Sequence, residues 1–347
     1  MAELRQDPAS GRWVIIATER AARPHDFYVP RGRKHGGFCP FCEGNEDRTP
    51  AETMAFRAEE TGPNEPGWQV RVVPNRFPAL QPETVARHSG DGIYRAVGGH
   101  GAHEVIIETP RHLVSPTELT PEDFALVVRT YCHRARALSE QEGVSYVLIF
   151  KNVGEGAGAS IEHTHSQLIA VPVMPKRVDE EMRRCAEFRA EHGRCLFCAM
   201  IEQEVESGQR VVVRREGFLV ISAYAARFPF EMWVLPEEHQ RHFHEMDVER
   251  AAALARVLQE ALGRLEVCLR DPPFNYAIHS SPVGGEGETC YHWHIEVIPR
   301  VTRVAGFEWG SGFHINPMEP ERAAEHLREV PEKAIKAKVT YAATPDR

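Results

Sequence analysis

The chain has 347 residues, 42% of them hydrophobic and 26% charged, with a formal net charge of −9. That length can bury large cores and fits two domains or one fused pair. The acidic balance excludes broad electrostatic binding to nucleic acid or an anionic membrane, although a local pocket of Arg and backbone N–H groups can still hold a small anion.

Taken in chain order, the start (Met1-Ala-Glu-Leu-Arg5) lacks an apolar signal-peptide core, and no later apolar run reaches the length of a membrane span. Cys39-Pro-Phe-Cys42 is the first candidate metal knuckle. A strand follows at Val70–Pro74, running into Asn75-Arg-Phe-Pro78, and another at His103–Glu108. After His112, Thr120 and Pro121 open a helix in which Phe124, Val127, Val128, Tyr131 and Leu138 recur at helical spacing. A strand at Val144–Phe150 leads to the glycine-rich loop Gly154-Glu-Gly-Ala-Gly158 and then to His163-Thr-His165-Ser-Gln167, closed by Val171-Pro172.

The same series then recurs. An acidic segment, Val178–Arg194, is predicted as a helical bridge, and Cys195-Leu-Phe-Cys198 comes directly after it. Leu219–Pro229 matches Val70–Pro78, and Phe230–Leu235 matches the His103–Glu108 strand. His239 stands where His112 stood, and Asp247 caps a helix carrying Leu254, Val257, Leu258, Ala261 and Leu265. A strand at Asn275–His279, glycines at 284–287 and His292-Trp-His294-Ile-Glu296 complete the repeat. The tail beyond Val330 is expected to fray. The predicted fold is α+β: two tandem halves, 1–177 and 178–347, each an antiparallel-rich sheet with packed helices.

Two thiolates and two imidazoles make a closed tetrahedral zinc site, so two structural zinc ions are expected. The ligands would be Cys39, Cys42, His112 and His163 in the first half, and Cys195, Cys198, His239 and His292 in the second. His242 and His244 compete locally for the place of His239. The remaining Cys132, Cys185, Cys268 and Cys290 show no disulfide-like order, which fits a cytoplasmic protein. In a strand, residues i and i+2 share a face, so His163 can bind metal while His165 presents a free imidazole. The Gly154–Gly158 loop, Ser160 and Gln167 then describe a phosphate cradle beside that imidazole. In the second copy Glu296 replaces Gln167, and its carboxylate would repel phosphate. One copy is expected to react and the other to brace the fold.

These motifs together resemble the galactose-1-phosphate uridylyltransferase family, within the histidine-triad nucleotidyltransferase superfamily. The resemblance rests on Cys39-x-x-Cys42, Asn75-Arg-Phe-Pro-Ala-Leu80, His112, the Asn152–Ser160 loop and His163-x-His165-Ser-Gln167. It reaches from Asp7 to Pro317. It implies two histidine-triad-like halves and a covalent nucleotidyl intermediate on His165. Gln167 and Ser160 would contact the transferred phosphate, with Asn152 and Gly158 nearby. Arg20, Arg23, Asn75 and Arg76 would line the nucleotide and phosphate pocket, and Glu308 and Asn316 would lie near the sugar. It also makes Glu181 an alternative ligand in the second metal site, and it implies a homodimer with sites near the subunit interface.

The expected reaction is UDP-glucose:hexose-1-phosphate uridylyl transfer, with a nucleotide sugar and a sugar 1-phosphate or phosphate as reactants. Thr164 in the middle of the His-x-His motif, the complete second C-x-x-C and the Gly306–Pro317 segment are closer to the branch that includes plant ADP-glucose phosphorylase. That branch gives the alternative, adenylyl transfer to phosphate, and a dinucleoside polyphosphate phosphorylase is a further one. Outside the class stands a zinc-dependent nucleic-acid-binding module, which the acidic charge and the absence of a basic stripe disfavour.

Overall fold

The computed structural model describes residues 2–18, 27–29, 37–58, 60–284 and 290–342. Arg20, Arg23 and residues 285–287 of the second glycine-rich loop lie outside the described residues.

Two short strands, β1 (Glu3–Gln6) and β2 (Trp13–Ile16), open the chain. The first half continues with β3 (Met54–Arg57), β4 (Trp68–Pro74), the hairpin β5 (His88–Asp91) and β6 (Tyr94–Val97), and β7 (Ala102–Ile107). Helix α1 (Pro121–Ser139), β8 (Tyr146–Val153) and β9 (His165–Val171) follow. Two helices, α2 (Lys176–His192) and α3 (Leu196–Ser207), bridge to β10 (Val211–Arg215), β11 (Phe218–Ser222) and β12 (Met232–Pro236). Then come α4 (Val248–Leu269), β13 (Phe274–His279), β14 (His294–Pro299), α5 (Gly306–Ser311), β15 (His314–Asn316), α6 (Pro320–Arg328) and α7 (Glu332–Ala342).

Among the described residues, ten of these strands form one continuous sheet in the order β10-β11-β12-β14-β13-β8-β9-β7-β4-β3. Read inward from either edge the connectivity is the same, with α1 between β7 and β8 and α4 between β12 and β13. The two antiparallel-rich halves expected from the repeat are therefore present, and they are fused edge to edge. Asn275 pairs with Asn152 and Ala277 with Phe150 across the β8–β13 seam. Joining the innermost strand of each half, β8 and β13, satisfies two rows of N–H and C=O groups that would otherwise form open edges.

The sheet buries both faces, by different means. On one side α1 and α4 pack over the whole seam: Phe124, Val127, Tyr131, Leu254, Leu258 and Leu262 share a core with Val72, Ile106, Leu168, Val234 and Ile295. Thr120 caps α1 by accepting from the Asp123 N–H, and Asp247 caps α4 by accepting from the Arg250 N–H. On the opposite side the halves differ. The second half is covered by α2 and α3, whose Cys185, Leu196, Phe197 and Ile201 pack on Leu219, Ile221, Trp233 and Leu235. Among the described residues, the first half has the Cys39–Cys42 knuckle there, where Cys39 and Phe41 meet Val73, Val105 and Ile107.

Two departures from the sequence reading have local causes. The helical bridge expected over Val178–Arg194 is present as α2, but a second helix, α3, follows it, with Cys195 of the second C-x-x-C as its N-cap. The tail forms α7 as far as Ala342, residues 343–347 lying outside the described residues, and α7 packs on α4 at Gly263, where an added Cβ would meet Ile335 Cγ2 at 2.9 Å. Lys338 of α7 also reaches Glu266 at 3.0 Å and contacts Asp271. A separate small sheet joins β15 parallel to β2, with β1 antiparallel on the other side. Arg5 fastens it to Glu321 at 2.8 Å.

Candidate active site and metal centres

Cys39, Cys42, His112 and His163 converge so that their ligand atoms lie within 4.8 Å of one another, and so do those of Cys195, Cys198, His239 and His292. In the first cluster the Sγ–Nδ1 separations are 3.6 Å for Cys39–His163, 3.4 Å for Cys42–His112 and 3.6 Å for Cys42–His163. In the second they are 3.5 Å for Cys198–His239 and 3.6 Å for Cys198–His292. Zinc bonds of about 2.3 Å to sulfur and about 2.05 Å to nitrogen in a tetrahedron put S and N about 3.6 Å apart, so both clusters have the dimensions of a closed site. His163 Nε2 donates to the Thr109 carbonyl at 2.8 Å and His292 Nε2 to the Pro236 carbonyl at 2.9 Å, which leaves each Nδ1 lone pair for the metal.

His165 begins β9, directly after the first-cluster ligand His163. Its Nδ1 donates to the His163 carbonyl at 2.7 Å, so the lone pair resides on Nε2. Burial, reinforced by Lys151 and opposed by the His163 carbonyl, holds this imidazole down at about 4, and it is neutral at neutral pH. Phe41, from inside the C-x-x-C knuckle, packs edge-on against it at 5.2 Å between ring centroids. The side chain retains 7% exposure.

Alternation along β9 sends Thr164 and Ser166 to the other face, into a fully buried polar network. Glu108 accepts from Lys151 Nζ at 2.6 Å, Thr164 Oγ1 at 2.6 Å, Ser166 Oγ at 2.5 Å and the Tyr131 hydroxyl at 2.9 Å. Burial alone would raise the Glu108 pKa. Lys151 and the Ser166 and Thr164 hydroxyls outweigh it and hold the carboxyl below its usual range. Lys151 Nζ also donates to the His165 carbonyl at 2.9 Å, so the backbone beneath the His165 imidazole is anchored from behind. The sequence reading missed this network. Lys151 stands beside Asn152 near the end of β8, and nothing in that local pattern marks it as buried.

The other predicted residues of the first half lie on β8 and β9, on the glycine-rich loop and just beyond it, and on the loop after β4. Gln167 shares the face of His165, and its Oε1 accepts from Asn75 Nδ2 at 3.4 Å and from His103 Nε2 at 2.8 Å. His103 was overlooked, although it lies on the strand paired with β9. Asn152 accepts from Asn275 Nδ2 at 2.7 Å, and the same Nδ2 donates to the Ala157 carbonyl at 2.8 Å, which ties the glycine-rich loop to the seam. That loop turns back at Gly154 and Gly158, whose φ of 83° and 88° suit glycine. Ser160 is exposed and lines a cleft of about 500 Å³ together with Cys39, Cys42 and His112. Arg76 is exposed on the loop after β4.

Glu308 and Asn316 lie with the second half. Glu308 accepts from the Ala305 N–H at 2.9 Å at the start of α5. Asn316 is 1% exposed, donates to the Ala226 carbonyl at 2.9 Å and accepts from the Met318 N–H at 2.9 Å. Both ends of its amide are thus bonded within the fold.

The second His-x-His strand is closed off. His294 is fully buried, stacked on His279 at 4.8 Å and on Trp233 at 5.0 Å, with Phe197 of α3 also at 4.8 Å. Its Nδ1 meets the His292 carbonyl at 3.2 Å, and its Nε2 is buried with no hydrogen-bond partner among the described residues. Beside it, Glu181, His279, His294 and Glu296 bring four ligand atoms within 4.8 Å of one another. Tyr291 donates to Glu181 at 2.7 Å, Arg227 to Glu296 at 2.8 Å, and Arg177 also contacts Glu296. Burial pulls the His279 pKa down, but Glu181 and Glu296 outweigh it and hold it up at about 9. His242 and His244 pair with each other at 5.2 Å, and His239 is the histidine that meets Cys198.

Residues 1–175 match the family model of the galactose-1-phosphate uridyl transferase N-terminal domain, and residues 181–339 match that of its C-terminal domain. An ADP-glucose phosphorylase of Arabidopsis thaliana is 36% identical, over 94% of this chain and 93% of its own length. A galactose-1-phosphate uridylyltransferase of Thermotoga maritima is 28% identical, over 95% of this chain and 98% of its own. The crystal structure of an A. thaliana ADP-glucose phosphorylase with bound ADP-glucose superposes with a TM-score of 0.82 at 33% identity, covering 95% of this chain and 99% of that one. Matched along both halves in sequence and in fold, the chain belongs to the galactose-1-phosphate uridyl transferase family.

Proposed function

We propose that this protein transfers a nucleotidyl group from a nucleoside-diphosphate sugar through a covalent nucleotidyl-His165. The observation that carries the reading is the 2.7 Å bond from His165 Nδ1 to the His163 carbonyl, which fixes the tautomer and leaves Nε2 as a neutral nucleophile. Nε2 attacks the α-phosphorus, the bond to the bridging oxygen breaks, and sugar 1-phosphate departs. A phosphate oxygen of the acceptor then attacks the same phosphorus and the P–N bond breaks, giving ping-pong kinetics. The proton on Nδ1 stays in its bond to the carbonyl, whose dipole stabilises the positive charge on the adduct.

Gln167, Ser160, Asn152 and Gly158 serve the phosphate in this reading. Arg20, Arg23, Asn75 and Arg76 serve the nucleotide, and Glu308 serves the sugar. Asn316 acts by holding the turn after β15. The two Cys₂His₂ clusters would each hold a zinc ion through all four side chains, and the metal would supply a structural cross-link. Residues 1–177 form the reacting half and 178–347 the bracing half. A homodimer is supported by the exposed Val85, Ile93 and Tyr94 on and beside the β5–β6 hairpin, and sedimentation as a monomer would remove that part. The free cysteines support a cytoplasmic setting, and recovery of the protein in an oxidising compartment would count against it.

As a uridylyltransferase-type enzyme, the protein would take uridylyl from UDP-glucose and pass it to galactose 1-phosphate. A second reading, adenylyl transfer from ADP-glucose to phosphate, is favoured by the 36% identity to the A. thaliana phosphorylase against 28% to the T. maritima transferase. Intact-mass measurement after mixing with each sugar nucleotide separates them. A gain of one UMP selects the first, a gain of one AMP the second, and no adduct with either removes the covalent mechanism.

A further inference from the structure

Gln167 has a requirement that the phosphate cradle does not itself meet. A carboxamide is a donor at one end and an acceptor at the other, and turned the wrong way it would present oxygen to a phosphate. Here Oε1 accepts from His103 Nε2 at 2.8 Å and from Asn75 Nδ2 at 3.4 Å. The Ala79 N–H donates to His103 Nδ1 at 3.3 Å, which places the ring proton on Nε2; Asn75 Nδ2 lies 3.2 Å from that Nε2 and directs its own hydrogen to Gln167 Oε1. With Oε1 engaged by two donors, the Gln167 NH₂ is the free end.

The register explains why His103 can do this. β7 and β9 pair Ile107 with His165, Val105 with Gln167 and His103 with Ile169, so His103, Gln167 and His165 project from one face. His103 also holds the loop after β4 at two points. Its carbonyl accepts from the Asn75 N–H at 2.8 Å while its ring accepts from Ala79, with Arg76, Phe77 and Pro78 between them.

We propose that His103 is a positioning residue for the nucleotidyl-transfer step: it orients the Gln167 amide so that its N–H groups face the transferred phosphate, and it sets the Asn75–Ala79 loop in the same operation. The inference rests on the covalent reading of His165. It adds a residue that contacts neither the phosphate nor the reacting nitrogen and acts through Gln167.

The test measures single-turnover adduct formation by intact mass, with ADP-glucose and UDP-glucose in separate arms, for the full-length protein. His103→Phe keeps an aromatic ring and removes both ring nitrogens; His103→Gln keeps a neutral donor at the reach of Nε2. His103→Phe should slow adduct formation by about 10- to 100-fold. The half-saturating nucleotide-sugar concentration should change by less than about threefold, with metal content unchanged, and His103→Gln should recover most of the rate. Gln167→Ala should lose about 100-fold or more, and adding His103→Phe to it should cost little further, because residues acting as one unit are not additive.

If His103→Phe slows the wild type and the Gln167→Ala background by the same factor, the two residues act independently and the inference is overturned. It is equally overturned if His103→Phe keeps the full rate, or if His103→Gln is no better than His103→Phe. An unlabelled wild type, or a Gln167→Ala variant with the full rate, would instead remove the covalent reading or the role of Gln167, and the inference with it.

Discussion

Asn152 and Asn275 face each other across the β8–β13 seam, with Asn275 Nδ2 donating to Asn152 Oδ1 at 2.7 Å. The pair joins one half of the duplication to the other at the foot of the glycine-rich loop, since the same Nδ2 also holds the Ala157 carbonyl. Asn275→Ala removes both bonds and frees the loop beside the proposed phosphate site. Adduct formation should fall about tenfold while melting temperature shifts little, because misplacing a binding loop costs rate before it costs stability. An unchanged rate with a markedly lower melting point would make the contact purely structural.

The two His-x-His strands should respond in opposite ways. His165→Gly should abolish adduct formation and leave metal content and fold intact. His294→Ala removes a ring packed between Trp233 and His279 and should lower stability by about 2–4 kcal/mol while keeping transfer within about tenfold. Chemical denaturation and single-turnover labelling of both variants check this. A folded His294 variant with no transfer would contradict the assignment of chemistry to the first half.

Cys39→Ser should reduce bound metal by about one equivalent per chain and destabilise the first half, since ligand loss couples directly to folding. Metal analysis by mass spectrometry and a melting curve are the readouts. Retained stoichiometry with unchanged melting would speak against the first cluster as a metal site.

The pH profile follows from His165. Its folded pKa is lowered to about 4 from 6.5, so the nucleophile stays neutral well below pH 6.5 and adduct formation should hold from pH 7 to about 5 before falling. A lowered His pKa also means that the unfolded chain binds the proton more tightly. Its contribution to stability is therefore complete above pH 6.5 and declines as pH drops toward 4. Labelling rates across this range, with metal content measured at each point, test it. An inflection near pH 6.5 would show a solvent-like imidazole.

Lys151→Met would leave Glu108 buried with its hydroxyl partners but no counter-charge. Loss of one partner of a buried ion pair costs about 3–5 kcal/mol. The double variant Lys151→Met, Glu108→Gln should recover part of that loss, and denaturant titration of both variants measures it. Equal stability of the single and double variants would show that the pair is not the source.

Much of this architecture was legible because the sequence states it twice. The strand–helix–strand series, the caps at Thr120 and Asp247 and both Cys₂His₂ sets follow from period and spacing. Fusion into one sheet was not legible, since edge pairing of β8 with β13 leaves no mark on the side-chain alternation of either strand. His103 escaped for a related reason. Its part depends on cross-strand register with Gln167, and register is set by the pairing of two distant segments. The buried Lys151–Glu108 pair was likewise invisible, because each partner alone reads as a surface residue. The docking of α7 against the bare backbone at Gly263, far from it in sequence, was not legible either.

The placement of α2 and α3 over one half only has a consequence for how variation in this chain can be read. Mirror-related positions such as Phe41 and Phe197, or His165 and His294, carry the same side chain on the same strand or knuckle, yet the first of each pair lies in the proposed reacting half and the second belongs to α3 or packs beneath it. A comprehensive mutational scan should therefore split each such pair into two phenotypes, turnover for the uncovered member and abundance for the covered one. The internal repeat becomes a built-in control, separating what a residue type contributes to chemistry from what it contributes to folding.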